Sequence, residues 1–172
     1  VLDAMLPFLG EDYGNASAIY MLGNKSKKAI RDARDLVALT LGAKSDEIYF
    51  TSGGTESDNW ALKVAAWAQQ TKGKHMITTQ IEHHAVLNTC KYLERCGFDI
   101  SYVGVDGDGL VKLDELKNAV RPDTILISVM FANNEVGVIE PIREIGEFAK
   151  ERGILFHTDA VQAFGHLPID VQ

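Results

Sequence analysis

Two segments far apart in the sequence carry residues that together suit a phosphorylated heterocycle. A Gly-Gly turn, Gly53-Gly54, precedes Thr55 at the expected start of a helix, where unpaired backbone N–H groups attract a phosphate. Asp159 lies at the end of an expected strand, in His157-Thr158-Asp159, with Gln162 three residues later, and a carboxylate there would keep a ring nitrogen protonated. These segments predict the two ends of a pyridoxal phosphate site.

Two further polar segments follow apolar runs, Glu82-His83-His84 and Asn133-Asn134-Glu135-Val136-Gly137. Ligands of open α/β sheets bind beyond the carboxyl ends of the strands, so we expect all these segments to meet at one site. A histidine beside a flat ring can stack on it and transfer protons near neutral pH. Each segment alone also fits a structural role as a helix cap, turn or hydrogen-bonded loop. A binding site is favoured because all these segments are expected at the same end of the sheet.

The loop and the histidines fit other ligands less well. The loop has no Gly-x-Gly-x-x-Gly spacing and no Gly-Lys-Ser/Thr ending, so neither common nucleotide fingerprint is present. A metal could be held by His83 and His84 with His157, Asp159 or His166, but adjacent loop histidines point apart and no second histidine lies one helical turn away. The sequence therefore predicts no metal site.

Short apolar runs alternate with longer amphipathic runs, which predicts an α/β fold with a mostly parallel central sheet flanked by helices. We expect strands at Ile48–Thr51, Met76–Thr79, Ile100–Val105, Ile125–Met130 and Ile154–His157. We expect helices at Val1–Leu9, Asn24–Leu41, Thr55–Gln70, His84–Cys96, Leu113–Val120 and Ile142–Arg152. Left-handed C-terminal caps are expected at Gly42, Gly73, Gly97 and Gly153. Glu11–Asn24, rich in Gly, Asn and Ser, is a candidate mobile loop.

The composition favours one compact domain. Of 172 residues, 46 % are hydrophobic, enough to bury a sizeable core. A net charge of −7 argues against binding to nucleic acid or an anionic membrane surface, which usually needs a basic face. Cys90 and Cys96 are six apart on an expected helix and form no disulfide framework, which favours a reducing cytoplasm. No apolar run approaches the roughly 20 residues of a membrane span, and the start at Val1, within an apparent helix, favours a fragment.

Four segments of the chain resemble the cysteine desulfurases of the NifS/IscS type, within the class V aminotransferase group. They are Thr51–Asn59, Glu82–Leu87, Asn133–Gly137 and Asp159–Gln162, in family order and with family-like spacing. The resemblance covers essentially the whole chain and implies a fold-type I pyridoxal phosphate enzyme. Residues 1–172 would form its cofactor-binding large domain, with the first strand, the catalytic lysine region and the C-terminal small domain absent.

The resemblance implies a role for each residue on the cofactor. Gly54 and Thr55 would bind the phosphate, and His83 would stack on the pyridine ring as a catalytic residue. Asp159 would pair with the pyridinium nitrogen.

The ring hydroxyl has its own implied partners. Gln162 would donate a hydrogen bond to it, and Asn134 would lie near both the hydroxyl and the substrate. In the family a lysine in a Ser-x-His-Lys segment holds the cofactor and a mobile-loop cysteine accepts sulfur as a persulfide, and both would lie beyond Gln172.

The sequence departs from the family pattern at two positions. His84 stands where the family often has lysine, and it is assigned a structural role. Tyr20 stands where many relatives have histidine, which weakens any role for the Tyr13–Gly23 loop. Cys90 and Cys96 match no catalytic position and are expected to be packed or partly exposed helix residues.

The implied whole protein is a cytoplasmic homodimer that converts L-cysteine to L-alanine. It would pass the sulfur to iron–sulfur scaffold or other sulfur-acceptor proteins, for iron–sulfur cluster assembly or tRNA thiolation, without direct contact to nucleic acid or membrane. This piece alone would be inactive. One alternative is a selenocysteine lyase or another class V pyridoxal phosphate enzyme. The other is a noncatalytic α/β binding module, which would have no affinity for pyridoxal phosphate.

Overall fold

The computed structural model describes residues 2–172, whose contacts define two compact units. Among the described residues, one unit comprises 2–50 with Ile169–Gln172, and the other comprises Thr51–Pro168. The first unit contains helices α1 (Leu2–Gly10) and α2 (Met21–Leu41) and a short 3-10 turn. None of the helices between residues 2 and 172 is long and apolar enough to cross a lipid bilayer.

The second unit is a four-stranded parallel sheet flanked by helices, which confirms the predicted α/β fold. Its strands are β1 (His75–Thr79), β2 (Asp99–Val103), β3 (Thr124–Ser128) and β4 (Leu155–His157). Its helices are α3 (Gly54–Gln69), α4 (His84–Arg95), α5 (Leu113–Ala119) and α6 (Ile142–Glu151). The strand order is β2-β1-β3-β4, so the chain reverses direction across the sheet between β1 and β3. Such a switch point is where open α/β sheets bind ligands.

An apolar layer covers each face of the sheet. On one face, side chains of α3 and α4 such as Leu62 and Leu93 pack against Met76 of β1. On the other, side chains of α5 and α6 such as Leu116 pack against Ile77. Met76 and Ile77 are neighbours whose side chains point to opposite faces, as expected for a strand buried on both sides.

The strand predicted at Ile48–Thr51 is wrong. Within the described residues this stretch joins no ladder, and it follows the 3-10 turn Ser45–Glu47 as irregular chain. Residues of this stretch contact α2 instead. The Ile48 carbonyl accepts a hydrogen bond from Arg34 of α2, and the Phe50 ring lies 5.1 Å from the Arg34 guanidinium.

Smaller differences concern element ends and one glycine. Helix α1 ends at Gly10, while Val1 of the expected first helix lies outside the described residues. Helix α2 begins at Met21, three residues before the predicted start, which shortens the irregular stretch before it. The predicted left-handed glycine caps are present except at Gly73. There, a Cβ atom would lie 2.1 Å from the Asp123 carbonyl oxygen, so close backbone approach explains the glycine.

Candidate active site

The start of α3 leaves two amides available at the predicted phosphate loop. Gly53 precedes the helix, and its carbonyl accepts the amide of Glu56 at 3.1 Å. The Glu56 carboxylate in turn accepts the Ser52 amide at 2.6 Å, and this hydrogen bond lowers the Glu56 pKa. The amides of Gly54 and Thr55 donate to no group in residues 2–172. They are the free donors of a helix start, to which an anion binds.

Gly54 lies against the turn that follows β4. A Cβ atom at Gly54 would be 2.8 Å from Cγ2 of Val161, so any larger residue would displace the Val161 side chain or the turn that carries it. The Val161 amide donates to Oδ1 of Asp159 at 2.9 Å. The free amides of α3 and the carboxylate after β4 are therefore brought together through Val161.

Glu82 links the ends of β1 and β3. Its Oε1 accepts hydrogen bonds from the Thr79 hydroxyl at 2.8 Å and from the Met130 amide at 2.9 Å. His83 follows directly and caps α4, its Nδ1 accepting the Ala85 amide at 3.2 Å. That bond requires a lone pair on Nδ1, so a neutral His83 carries its proton on Nε2.

Asn133 links the same two strand ends from the other side. Its amide nitrogen donates to the Ile81 carbonyl at 2.9 Å, and its oxygen accepts the amides of Glu135 and Val136 at 2.8 and 3.0 Å. Asn134 follows directly in this turn and is exposed. The residues after β1 and β3 are thus adjacent, as the sequence predicted.

The ladder between β3 and β4 continues into the site. The Val129 amide donates to the His157 carbonyl at 3.1 Å, and the Phe131 amide donates to the Asp159 carbonyl at 2.9 Å. This extended pairing puts the Asp159 side chain on the same side of the strand as His157. Asp159 is only 8 % exposed, whereas His83, Asn134 and Gln162 are exposed. Asp159 is therefore the most buried of these four residues.

A buried polar group that the sequence did not assign lies within electrostatic reach of Asp159. Asp58 of α3 is buried, and its Oδ1 is 3.6 Å from Nε2 of His157, whose Nδ1 is 2.9 Å from the Ser128 hydroxyl. Burial first, and the charge of Asp159 second, raise the pKa of Asp58 to about 7. Burial lowers the pKa of His157 to about 4, against the opposing effect of Asp159. Burial disfavours the charged form of each group, which favours a neutral Asp58 beside a neutral His157.

A signal for this group was present in the sequence. Asp58, Leu62 and Ala66 are four residues apart on α3, and all three are buried. An acid at the first position of an apolar helical stripe predicts a buried carboxyl group.

The histidines after β1 do not converge on a common centre. The rings of His83 and His84 are 6.1 Å apart and nearly perpendicular. In residues 2–172, no three side chains of the types that bind metals are grouped suitably for an ion. Cys90 is buried, which raises its thiol pKa to about 12, and Cys96 is partly exposed.

The chain is similar to known proteins over its whole length. The aminotransferase class V family profile matches residues 1–172. A cysteine desulfurase IscS of Methanosarcina thermophila is 63 % identical over 172 residues, which are 100 % of this chain and 43 % of that protein. The structure of a NifS-like protein superposes with a TM-score of 0.94 at 44 % identity, covering 99 % of this chain and 47 % of that one. SspA, solved in complex with cysteine, has the same TM-score and identity and is covered to 49 %.

These likenesses confirm the resemblance found in the sequence and the fold type. The chain spans less than half the length of the relatives it matches. Class V aminotransferases are in general pyridoxal phosphate enzymes.

Proposed function

The chain belongs to the aminotransferase class V family, and from that premise we propose that the whole protein is a pyridoxal phosphate-dependent cysteine desulfurase. The observation that carries the proposal is the pairing of a buried carboxylate, Asp159, with the free amides at the start of α3. Similarity to cysteine desulfurases over the full chain supports the choice of reaction. In this proposal residues 1–172 belong to the cofactor-binding large domain.

The residues present fit pyridoxal phosphate at both ends. The amides of Gly54 and Thr55 would bind the phosphate, aided by the positive end of the α3 dipole. Gly54 leaves no room for a side chain beside Val161, so the backbone itself forms this wall of the site. Asp159 uses Oδ1 to accept the Val161 amide and makes no hydrogen bond through Oδ2 within residues 2–172. That oxygen would accept a hydrogen bond from the pyridinium nitrogen.

Each remaining site residue would act on the ring or the substrate. When bound, pyridoxal phosphate supplies an electron sink for negative charge at the substrate α-carbon. The Asp159 carboxylate would sustain the sink by holding the proton on the ring nitrogen. His83 would stack on the ring and exchange a proton through Nε2, because its Nδ1 is engaged with Ala85. Gln162 would donate to the ring hydroxyl, and Asn134 would orient substrate.

The proposal extends to the fate of the sulfur. The whole protein would convert L-cysteine to L-alanine and pass sulfur to iron–sulfur scaffold or other acceptor proteins, and it would act as a homodimer. The free thiols of Cys90 and Cys96 suit a reducing compartment, so we place it in the cytoplasm.

The test is the reaction itself, measured on the whole protein. Loaded with pyridoxal phosphate and given L-cysteine and a reductant, it should release sulfide and alanine in equal amounts, far above cofactor alone. A protein that binds the cofactor but yields no sulfide would reject the desulfurase reaction. A preference for selenocysteine by several orders of magnitude in kcat/KM would reassign it as a lyase. Failure to bind the cofactor would indicate a noncatalytic module.

A further inference from the structure

Three buried acidic side chains influence one another electrostatically near the carboxyl ends of the strands, and His157 is also affected. Asp58, Glu82 and Asp159 are each less than a tenth exposed. The charge of Asp159 acts on the pKa of Asp58, Glu82 and His157. The groups that face Asp58 are thus His157 and Asp159 from the β4 side and Glu82 from the loop before α4. Buried charges of one sign repel strongly, so the protonation of this cluster must be controlled.

His157 connects the cluster to the sheet. Its Nδ1 is 2.9 Å from the hydroxyl of Ser128, its register partner on β3, and its Nε2 faces Asp58 Oδ1 at 3.6 Å. In the neutral arrangement, Nδ1–H donates to Ser128 and the Nε2 lone pair faces the Asp58 hydroxyl. With one proton on Asp58, the pair of Asp58 and His157 then has no net charge.

We propose that Asp58 and His157 form a pair with one titratable proton, held on Asp58, and that this pair sets the charge near Asp159 that faces the pyridine nitrogen, which makes them positioning residues. This inference rests on the proposed function, because it assigns Asp159 to the cofactor ring. While the pair holds its proton, it adds no charge beside Asp159. When the proton leaves, Asp58 adds a second negative charge, which strengthens the hold on a positively charged ring nitrogen at alkaline pH.

A cofactor-free measurement tests the pair itself. In the whole protein with isotope-labelled histidine, the His157 ring should stay neutral, with Nδ1 protonated, in nuclear magnetic resonance spectra from pH 8 down to pH 5.5. Its shifts should report the Asp58 titration with a midpoint near pH 7, and Asp58→Asn should abolish that midpoint. A His157 that gains a proton near pH 6.5, as a solvated imidazole does, would overturn the inference.

Cofactor binding tests the effect on Asp159. The dissociation constant of pyridoxal phosphate for Asp58→Asn should match the wild-type value at pH 5.5 and exceed it several-fold at pH 8.5. The exposed Asp108→Asn serves as matched control and should show no such divergence. A ratio that stays constant with pH would show a merely structural role and overturn the inference. If the wild-type protein binds no pyridoxal phosphate, the proposed function fails, while the nuclear magnetic resonance result still decides whether Asp58 carries the titrating proton beside a neutral His157.

Discussion

Single carboxyl groups decide the electrostatics of the site. Glu82 is 4 % exposed, and its Oε1 accepts two hydrogen bonds while Oε2 is buried with no hydrogen-bond partner among the described residues. A charged oxygen in that position would lose its hydration without compensation. Burial accordingly raises the Glu82 pKa to about 7, against the two hydrogen bonds that lower it. Glu82 therefore holds its proton below neutral pH and adds no charge near Asp159.

Replacing Asp159 tests the residue that defines the proposed chemistry. Asp159→Asn keeps the shape and the contact to the Val161 amide, so the whole protein should remain folded. A neutral amide does not sustain a protonated ring nitrogen, so kcat for sulfide release should fall by orders of magnitude. Asp108→Asn, an exposed substitution of the same type, should leave kcat unchanged. Near-wild-type turnover in Asp159→Asn would reject the role of this carboxylate.

Replacing Glu82 tests the pH dependence of stability. The folded Glu82 pKa of about 7 exceeds the ordinary 4.5, so the folded state binds more protons than the unfolded state between these values. Stability therefore falls as pH rises from 4.5 to 7, by at most about 1.4 kcal/mol per pH unit for this one proton. Glu82→Gln removes the titration.

Relative to wild type, the melting temperature of the cofactor-free Glu82→Gln protein should consequently rise between pH 4.5 and 7 and level off above. Any cost of the new amide is the same at every pH and only offsets the curve. Glu147→Gln, an exposed substitution on α6, should track wild type throughout. A pH-independent difference for Glu82→Gln would show that Glu82 is already ionised at low pH.

At the scale of elements, strand ends were predictable from sequence and helix faces were predictable only in part. The polar residues after the apolar runs sufficed to predict that His83, Asn134 and Asp159 lie at one end of the sheet, because the carboxyl ends of parallel strands lie on the same side. The contact between Asp58 of α3 and His157 depends on how that helix rotates over the sheet. Spacing signals a buried face, but it does not identify the partner that the face meets.

The fit of α3 against the turn after β4 gives a prediction about an element. In Gly54→Ala the new Cβ would lie 2.8 Å from Val161 Cγ2, so the Val161 side chain or the turn that carries Asp159 must shift. Overpacking of this kind costs about 1–3 kcal/mol, and affinity for pyridoxal phosphate should weaken roughly tenfold. Fluorescence titration of the whole protein with pyridoxal phosphate measures this affinity.

Two further variants separate this steric cause from a general effect of losing glycine. Gly107→Ala, where an added Cβ meets nothing within 4 Å, should bind the cofactor as wild type does. The double variant Gly54→Ala, Val161→Ala removes the obstructing methyl group and should recover most of the affinity. Equal weakening in the single and double variants would contradict the steric explanation.

For the whole molecule, the sequence predicted the class of fold better than the number, order and register of its strands. Apolar runs that alternate with amphipathic runs predict the strands of such a sheet, and four of these strands are present, with β1 and β3 buried throughout and β2 and β4 only partly buried. The same pattern at Ile48–Thr51 was misleading, because an apolar stretch packs as readily on a helix as in a sheet and only a pairing partner makes it a strand. Strand order and register depend on such partners, which a local pattern does not contain.

The layered core gives a last prediction, since two leucines paired across the sheet differ in burial. Leu126 of β3 is 2 % exposed and its register partner Leu155 of β4 is 44 % exposed. Leu126→Ala removes core contacts worth about 2–5 kcal/mol. Where amide exchange requires the core to open, the amide hydrogens of β1 and β3 should therefore exchange roughly 30-fold faster or more. Leu155→Ala loses far less buried surface and should change exchange only slightly. Hydrogen exchange with mass spectrometry reports these strands separately from the rest of the whole protein. Equal acceleration by both substitutions would show that Leu155 is packed as deeply as Leu126 and would contradict the difference in their burial.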